Sequence, residues 1–172
     1  MKQLIKNKVE RFTNYLNSIE KQKDPNATYL GLRRFNQVDR YSCGIQCAYS
    51  ILDYYKRLTT DVELDKLINK NGTDFDVIKN IFQDYGLNIS EKYDSSLLDI
   101  KNFIDKEFPL LTTINDTEHW VVIYGYSMNK KGISHLFIMD PVLKRLKAKW
   151  TINKFKKHWR EWDEQWLAII SG

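Results

Sequence analysis

The hydrophobic pattern of this chain changes its period at Pro109, and that change restricts the possible folds more than any other feature of the sequence. Before Pro109, apolar residues recur every three or four positions, which is the spacing of helices with one buried face. After Pro109, short runs rich in β-branched and aromatic residues are typical of strands. Helices followed by an antiparallel sheet predict an α+β fold.

Five helices are predicted ahead of Pro109. The first covers residues 2–22, and a connection with a short extended piece over residues 29–32 follows it. The second contains both cysteines, has Ser42 as its N-cap and stops near Lys56. Three shorter helices open at capping signals and cover residues 60–70, residues 73–86, and the stretch from Ser95 or Ser96 toward Pro109, in which Leu98, Ile100, Phe103 and Ile104 are expected to be buried.

Five strands and one short helix are predicted after Pro109. The strands cover residues 110–114, 119–126, 134–140, 146–150 and 166–170, and the helix covers residues 151–159. We expect an N-terminal helical extension over residues 1–25 and one main domain over residues 26–172, since 172 residues suit a single sizeable core.

The chain contains no apolar run near the roughly 20 residues that span a bilayer, and no signal-like segment opens it. We therefore expect a cytoplasmic protein without a membrane span, or an excised domain of a longer exported protein. The oligomeric state is left open. The net charge is +5, with basic residues concentrated toward the C-terminus. Because no nucleic-acid-binding motif accompanies them, a solvated basic face is favoured over nucleic-acid binding. Attraction of an acidic partner or peptide to this face is left open.

The two cysteines, Cys43 and Cys47, lie one turn apart on the second predicted helix. Cys43 falls in the first turn, where unpaired backbone N–H groups and the helix dipole lower the pKa of a thiol. Gly44 is expected to leave room for another chain to approach the sulfur, and Cys47 is expected to pack in the core. The parallel Cβ vectors of such a pair disfavour a disulfide. The three histidines complete no Cys/His quartet, so neither a metal nor another cofactor is expected.

A nucleophilic thiol needs a base, a group that orients the base, and donors for the oxyanion. His119 begins one predicted strand and Asp140 ends the next, so an antiparallel hairpin would bring the two together. Gln37, six residues before Cys43, is placed to turn back and share an oxyanion with the backbone N–H of Cys43.

Cys43, His119 and Asp140 also have purely structural interpretations. Most cysteines that precede a glycine are buried and inert. A histidine in an apolar strand is commonly half-buried and satisfied, and Asp-Pro is a common turn signal. His135 and His158 are alternative bases, but His135 lies one strand over and His158 lies in the basic C-terminal stretch.

Taken together, three motifs resemble the bacteriocin-processing, double-glycine-leader cysteine peptidases. They are residues 37–44 with Ala48 and the Tyr54-Tyr55 end of the helix, Phe108-Pro109-Leu110 followed by residues 119–126, and Asp140-Pro141 followed by residues 152–155 and Trp159. The resemblance covers residues 35–170 and implies a papain-like fold. It also implies Cys43 as nucleophile, His119 as base, Asp140 as orienter and Gln37 as oxyanion donor.

The chain departs from that family where Ser42 replaces the aspartate that usually precedes the cysteine, and no attached transporter is expected. The first hypothesis is a papain-like cysteine peptidase that acts on a peptide or protein substrate, and a leader peptide is one candidate. A second is a toxin or effector domain that uses the same triad to deamidate, cleave or acylate a host protein. A third is an inactive papain-like module that only binds peptides.

Overall fold

The structure is a computed structural model and describes residues 24–59, 61–115, 118–142, 148–159 and 165–172. Within these ranges the chain forms seven strands and four α-helices. The predicted helix over residues 2–22 lies outside them, so the division at residue 25 stays a prediction. No helix in the described part of the chain is long and apolar enough to cross a bilayer.

Helices and strands are interspersed in the first half of the chain, and strands dominate the second half. The elements in order are β1 (Ala27–Tyr29), α1 (Cys43–Tyr54), α2 (Phe75–Asp84), β2 (Asn88–Lys92), α3 (Leu97–Asp105), β3 (Leu110–Ile114), β4 (His119–Asn129), β5 (Gly132–Met139), β6 (Ala148–Thr151), α4 (Ile152–His158) and β7 (Leu167–Ser171). The predicted α+β class is confirmed, although β1 and β2 come from the helical half and join the same sheet.

The described strands form one antiparallel sheet in the order β2-β7-β3-β4-β5-β6. The long strand β4 pairs with β3 from His119 to Ile123 and with β5 along its other edge. β1 pairs with β4 beyond the end of β3, opposite Gly125. A Cβ on Gly125 would lie 2.4 Å from Cβ of Tyr29, so glycine permits this close approach.

Helix α1 packs against β4 and α2, and its buried side chains form the centre of the core. Ile45, Ala48, Ile51 and Leu52 are all fully buried. Such complete burial holds the first turn of α1 in a fixed position relative to β4. Because His119 begins β4, the same packing determines how the N-terminus of the helix meets the start of that strand.

Most of the predicted elements are confirmed within a few residues of their expected bounds. Helix α2 ends before Gly86, which has φ +70° and provides the expected C-terminal stop. Ser96 is the N-cap of α3 and forms a capping box with Asp99. The extended piece expected over residues 29–32 is strand β1, two residues earlier. The fourth strand, predicted from residue 146, begins at Ala148 in the described part of the chain.

Two expectations about the part of the chain before Pro109 are wrong. The helix predicted over residues 60–70 is only a 3₁₀ turn over Leu64–Leu67, because Val62 and Leu64 are both buried two positions apart, which is not a helical spacing. Leu98 is 62% exposed, because it lies on the face of α3 opposite the buried Ile100. The sequence analysis also missed β2, the polar edge strand that pairs with β7.

Candidate active site

Cys43 is the first residue of α1, as expected, and a folded loop precedes it. Ser42 occupies the N-cap position, but its side chain makes no capping hydrogen bond. Instead, Oδ1 of Asp39 accepts hydrogen bonds from the backbone N–H groups of Tyr41 at 2.9 Å and Ser42 at 2.7 Å. The carboxylate of Asp39 therefore organises the entry into the helix that the hydroxyl of Ser42 was expected to organise.

The hairpin of β4 and β5 brings His119 beside Asp140. Val122 lies opposite Met139 in this hairpin, so the start of β4 and the residue after β5 are neighbours. Nε2 of His119 lies 2.7 Å from Oδ1 of Asp140, and the same oxygen accepts a hydrogen bond from the backbone N–H of Val142 at 3.0 Å. Both side chains are largely buried, at 15% and 8% exposure.

His119 is also close enough to the thiol of Cys43 for each group to shift the pKa of the other, against the effect of burial. Burial alone would lower the pKa of His119, but the hydrogen bonds to Asp140 and Cys43 raise it to about 9. Burial raises the pKa of Cys43, but the bond with His119 and the backbone N–H groups of Trp120 and Gly44 outweigh this and lower it below the ordinary 9.0. Both directions favour a thiolate–imidazolium pair.

Two hydrogen bonds hold Gln37 beside the candidate site, one from its backbone and one from its side chain. Its backbone N–H donates to the carbonyl of Pro141 at 3.1 Å, which joins the loop before α1 to the chain just after Asp140. Its side-chain Nε2 donates to the backbone carbonyl of Asp39 at 2.9 Å. Oε1 of Gln37 is buried and has no hydrogen-bond partner within the described residues.

The other cysteine and the other two histidines lie outside the group formed by Cys43, His119 and Asp140. Cys47 is a free, fully buried thiol whose pKa is raised well above the ordinary value, chiefly by burial. His135 contacts Ser134, and His158 contacts Asn115 at 2.7 Å. Among the described residues, no three His, Cys, Asp or Glu side chains form a group that could hold a metal ion.

The model of the Peptidase C39 family matches residues 33–162, which is more than half of the chain. The chain belongs to the Peptidase C39 family. It is therefore a papain-like cysteine peptidase, and its mixed helices and antiparallel sheet agree with that fold. The resemblance drawn from the three sequence motifs is confirmed at the level of the family. A search of curated proteins found no significant match.

Solved structures with the same fold include peptidase domains of transporters. A double-glycine motif protease from an AMS/PCAT transporter, solved in complex with the leader peptide, is 18% identical, with a TM-score of 0.62, over 83% of this chain and 92% of that one. The peptidase domain of Streptococcus ComA, a bi-functional ABC transporter of a quorum-sensing pathway, is 18% identical, with a TM-score of 0.61, over 81% and 98%. The ComA peptidase domain of Streptococcus mutans is 17% identical, with a TM-score of 0.56, over 81% and 99%. At these identities the likeness concerns the fold.

The role expected for Gly44 is wrong in this C39 peptidase. A Cβ at Gly44 would lie 2.7 Å from Cβ of Thr73, 3.0 Å from Cδ1 of Trp120 and 3.1 Å from Cδ1 of Ile78. The space beside Gly44 is therefore filled by the protein's own side chains and is not open to another chain. Glycine at this position lets the first turn of α1 pack closely against the residue that follows His119.

The sequence analysis missed two residues that the fold places at or beside the site. Asp39 is part of the first motif, but nothing in the sequence distinguished its turn-forming role from that of Ser42. Arg34 has buried Nε and Nη2 atoms without hydrogen-bond partners in the described part of the chain. Burial lowers the pKa of Arg34, and the charge of Asp140 partly opposes this shift. Nothing in the sequence separates Arg34 from its neighbour Arg33, which pairs with Asp53.

Proposed function

We propose that this C39 peptidase hydrolyses a peptide bond by acyl transfer to Cys43, with His119 as base, Asp140 as orienter and Gln37 as oxyanion donor. The observation that carries the proposal is the 2.7 Å contact between Nε2 of His119 and Oδ1 of Asp140, beside the Cys43 thiol whose pKa His119 lowers. A thiol, an imidazole and a carboxylate in this order form the usual arrangement for nucleophilic catalysis by cysteine.

In the first step, the thiolate of Cys43 attacks the carbonyl carbon of the substrate. The C=O π electrons move to the oxygen, and a tetrahedral oxyanion forms. The backbone N–H of Cys43 and the side-chain amide of Gln37 donate hydrogen bonds to that oxygen. Loss of one such donor typically costs about 10²–10³ in rate, so Gln37→Ala is expected to lower kcat by that order.

In the second step, the imidazolium of His119 gives its proton to the departing amine as the C–N bond breaks, leaving a thioester on Cys43. Water then attacks the thioester while His119 accepts its proton, and the acid product leaves as the C–S bond breaks. Asp140 accepts a hydrogen bond from Nε2 throughout, which stabilises the imidazolium and leaves Nδ1 for the sulfur.

We propose a leader peptide with a double glycine before the scissile bond as the substrate. Two findings support this choice. The chain belongs to the Peptidase C39 family, and a protein of the same fold is a double-glycine motif protease solved with its leader peptide. Glycine has no side chain, so a Gly-Gly segment can pass through a site too narrow for other residues.

The test is cleavage of a synthetic fluorogenic peptide with Gly-Gly before the scissile bond, beside a matched peptide with Val-Val. The parent protein is expected to cleave the first peptide and not the second. Cys43→Ala is expected to abolish cleavage, whereas Cys47→Ala retains it. Undiminished cleavage by Cys43→Ala would overturn the nucleophile assignment. Equal cleavage of both peptides, or of neither, would overturn the substrate assignment.

A further inference from the structure

Both the side chain and the backbone carbonyl of Asp39 accept hydrogen bonds within the loop before α1. Its carboxylate Oδ1 accepts the backbone N–H groups of Tyr41 and Ser42, at 2.9 and 2.7 Å. Its backbone carbonyl accepts the side-chain Nε2 of Gln37, at 2.9 Å. Because the carboxylate fixes the turn, it also fixes the direction in which the carbonyl of Asp39 faces Gln37.

The hydrogen bond to Asp39 determines which end of the Gln37 amide acts as the donor. A primary amide has two N–H donors and one carbonyl acceptor. One N–H of Gln37 is committed to the carbonyl of Asp39, which leaves the second N–H for another acceptor. If the amide turned by 180°, Oε1 would face the Asp39 carbonyl, and two acceptors would repel each other. The carbonyl of Asp39 therefore keeps the nitrogen end of the amide in place.

The main chain of Gln37 is anchored independently of Asp39. Its backbone N–H donates to the carbonyl of Pro141 at 3.1 Å. Pro141 directly follows Asp140, whose carboxylate hydrogen-bonds His119. The location of Gln37 is thus set by Pro141, and the orientation of its amide is set by Asp39. This division predicts that loss of the Asp39 carboxylate disturbs the amide while the backbone of Gln37 stays beside Asp140.

We propose that Asp39 is a positioning residue that orients the amide of Gln37 toward the developing oxyanion, an inference that rests on the oxyanion role proposed for Gln37 above. Asp39 touches neither the substrate nor the sulfur in this account. Its effect is confined to steps that place negative charge on the carbonyl oxygen. Reactions of Cys43 that form no oxyanion are therefore independent of Asp39.

Two reagents separate these effects, and neither requires knowledge of the natural substrate. The peptide aldehyde acetyl-Gly-glycinal adds to a thiolate: the S–C bond forms, the C=O π bond breaks, and the oxygen occupies the oxyanion position. Iodoacetamide alkylates the same sulfur by displacing iodide, with no oxyanion. We measure the Kd of the aldehyde and the rate of alkylation in Cys47→Ala protein, in which Cys43 is the one remaining cysteine.

Asp39→Ala is expected to raise the Kd of the aldehyde about 10- to 10²-fold, and no more than Gln37→Ala does. In the Gln37→Ala background, Asp39→Ala is expected to raise the Kd of the aldehyde by less than about threefold, because the amide that Asp39 positions is gone. Asp39→Asn keeps the acceptor oxygen, so its Kd for the aldehyde is expected to stay within about threefold of that of the parent. The alkylation rate stays within about twofold in all these variants, since the thiolate–imidazolium pair is untouched.

Asp24→Ala is the matched control, since Asp24 also accepts a backbone N–H two residues on, from Asn26 at 3.2 Å, at the far end of β4. Asp24→Ala is expected to change neither the Kd of the aldehyde nor the rate of alkylation. Equal effects of Asp39→Ala with and without Gln37 would overturn the inference, as would a parallel loss of alkylation or a loss in Asp39→Asn as large as that in Asp39→Ala. A parent protein that is alkylated but does not bind the aldehyde contradicts the oxyanion role of Gln37. A parent in which Cys43 is inert contradicts the proposed function itself.

Discussion

Nε2 of His119 and Oδ1 of Asp140 lie 2.7 Å apart although 21 residues separate them in the chain. The β4–β5 hairpin creates this proximity, and the backbone N–H of Val142 holds the same oxygen in place. Because the carboxylate is an acceptor, Nε2 carries a proton and Nδ1 is the nitrogen left for Cys43. The hairpin thus selects the tautomer that the chemistry proposed for Cys43 requires.

The first prediction concerns the carboxylate of Asp140. Asp140→Ala is expected to lower kcat/KM by about 10²-fold or more, because the imidazolium loses its acceptor and the ring is free to rotate. Asp140→Asn is expected to retain more activity, since its side-chain oxygen still accepts from Nε2, as in Cys-His-Asn sites. Steady-state kinetics on the Gly-Gly peptide measure both. Equal activity of the alanine variant and the parent would show that Asp140 does not orient His119.

The second prediction concerns pH. The pKa of His119 is raised to about 9, so its proton is retained up to that pH and is lost above it. The pKa of the Cys43 thiol is lowered, so the thiolate forms below the ordinary 9.0. The expected profile of kcat/KM is a bell with its alkaline midpoint near 9 and its acid limb set by Cys43.

Asp140→Ala is the control for that profile. Loss of the carboxylate removes the hydrogen bond that raises the pKa of His119, so the alkaline midpoint is expected to move down toward the ordinary 6.5. An alkaline midpoint that stays at the same pH in parent and variant would contradict the assignment of that limb to His119.

The third prediction concerns Gly44. At an open helix position, Gly→Ala raises stability by about 0.5–1 kcal/mol. At Gly44 the added Cβ would meet Thr73, Trp120 and Ile78 at 2.7–3.1 Å, so Gly44→Ala is expected to lower the free energy of unfolding by about 1–3 kcal/mol. Denaturant unfolding of parent and variant measures the difference. A more stable variant would mean that α1 and Trp120 are not packed as closely as described.

The parts of the fold that were predictable from sequence are those set by local patterns. Helix α1 follows from the helical spacing of its apolar residues, and β3, β4 and β5 follow from runs of β-branched and aromatic residues. The proximity of His119 and Asp140 was predictable because a hairpin pairs two strands that are consecutive in the chain. These local signals were enough to predict that two of the four candidate site residues, His119 and Asp140, lie side by side.

The parts that were missed depend on contacts between distant segments. β2 is polar and short, and its partner β7 lies about 80 residues farther along the chain, so no local pattern marks it as a strand. The space beside Gly44 was expected to be open. The side chains that fill it belong to α2, β4 and the loop before α2, which are distant in the sequence. The turn at Asp39 was missed because Ser42 has an equally good capping signal, and only the folded loop shows which side chain makes the bonds.

The most direct test of the account is the pH dependence of Cys43 alkylation by iodoacetamide in Cys47→Ala protein, compared with the same protein carrying His119→Gln. Cys43 is expected to react with a midpoint below the ordinary thiol pKa of 9.0. His119→Gln is expected to move the midpoint up, because the buried thiolate loses its cationic partner. Identical midpoints in the two proteins would contradict the thiolate–imidazolium pair on which the proposed mechanism depends.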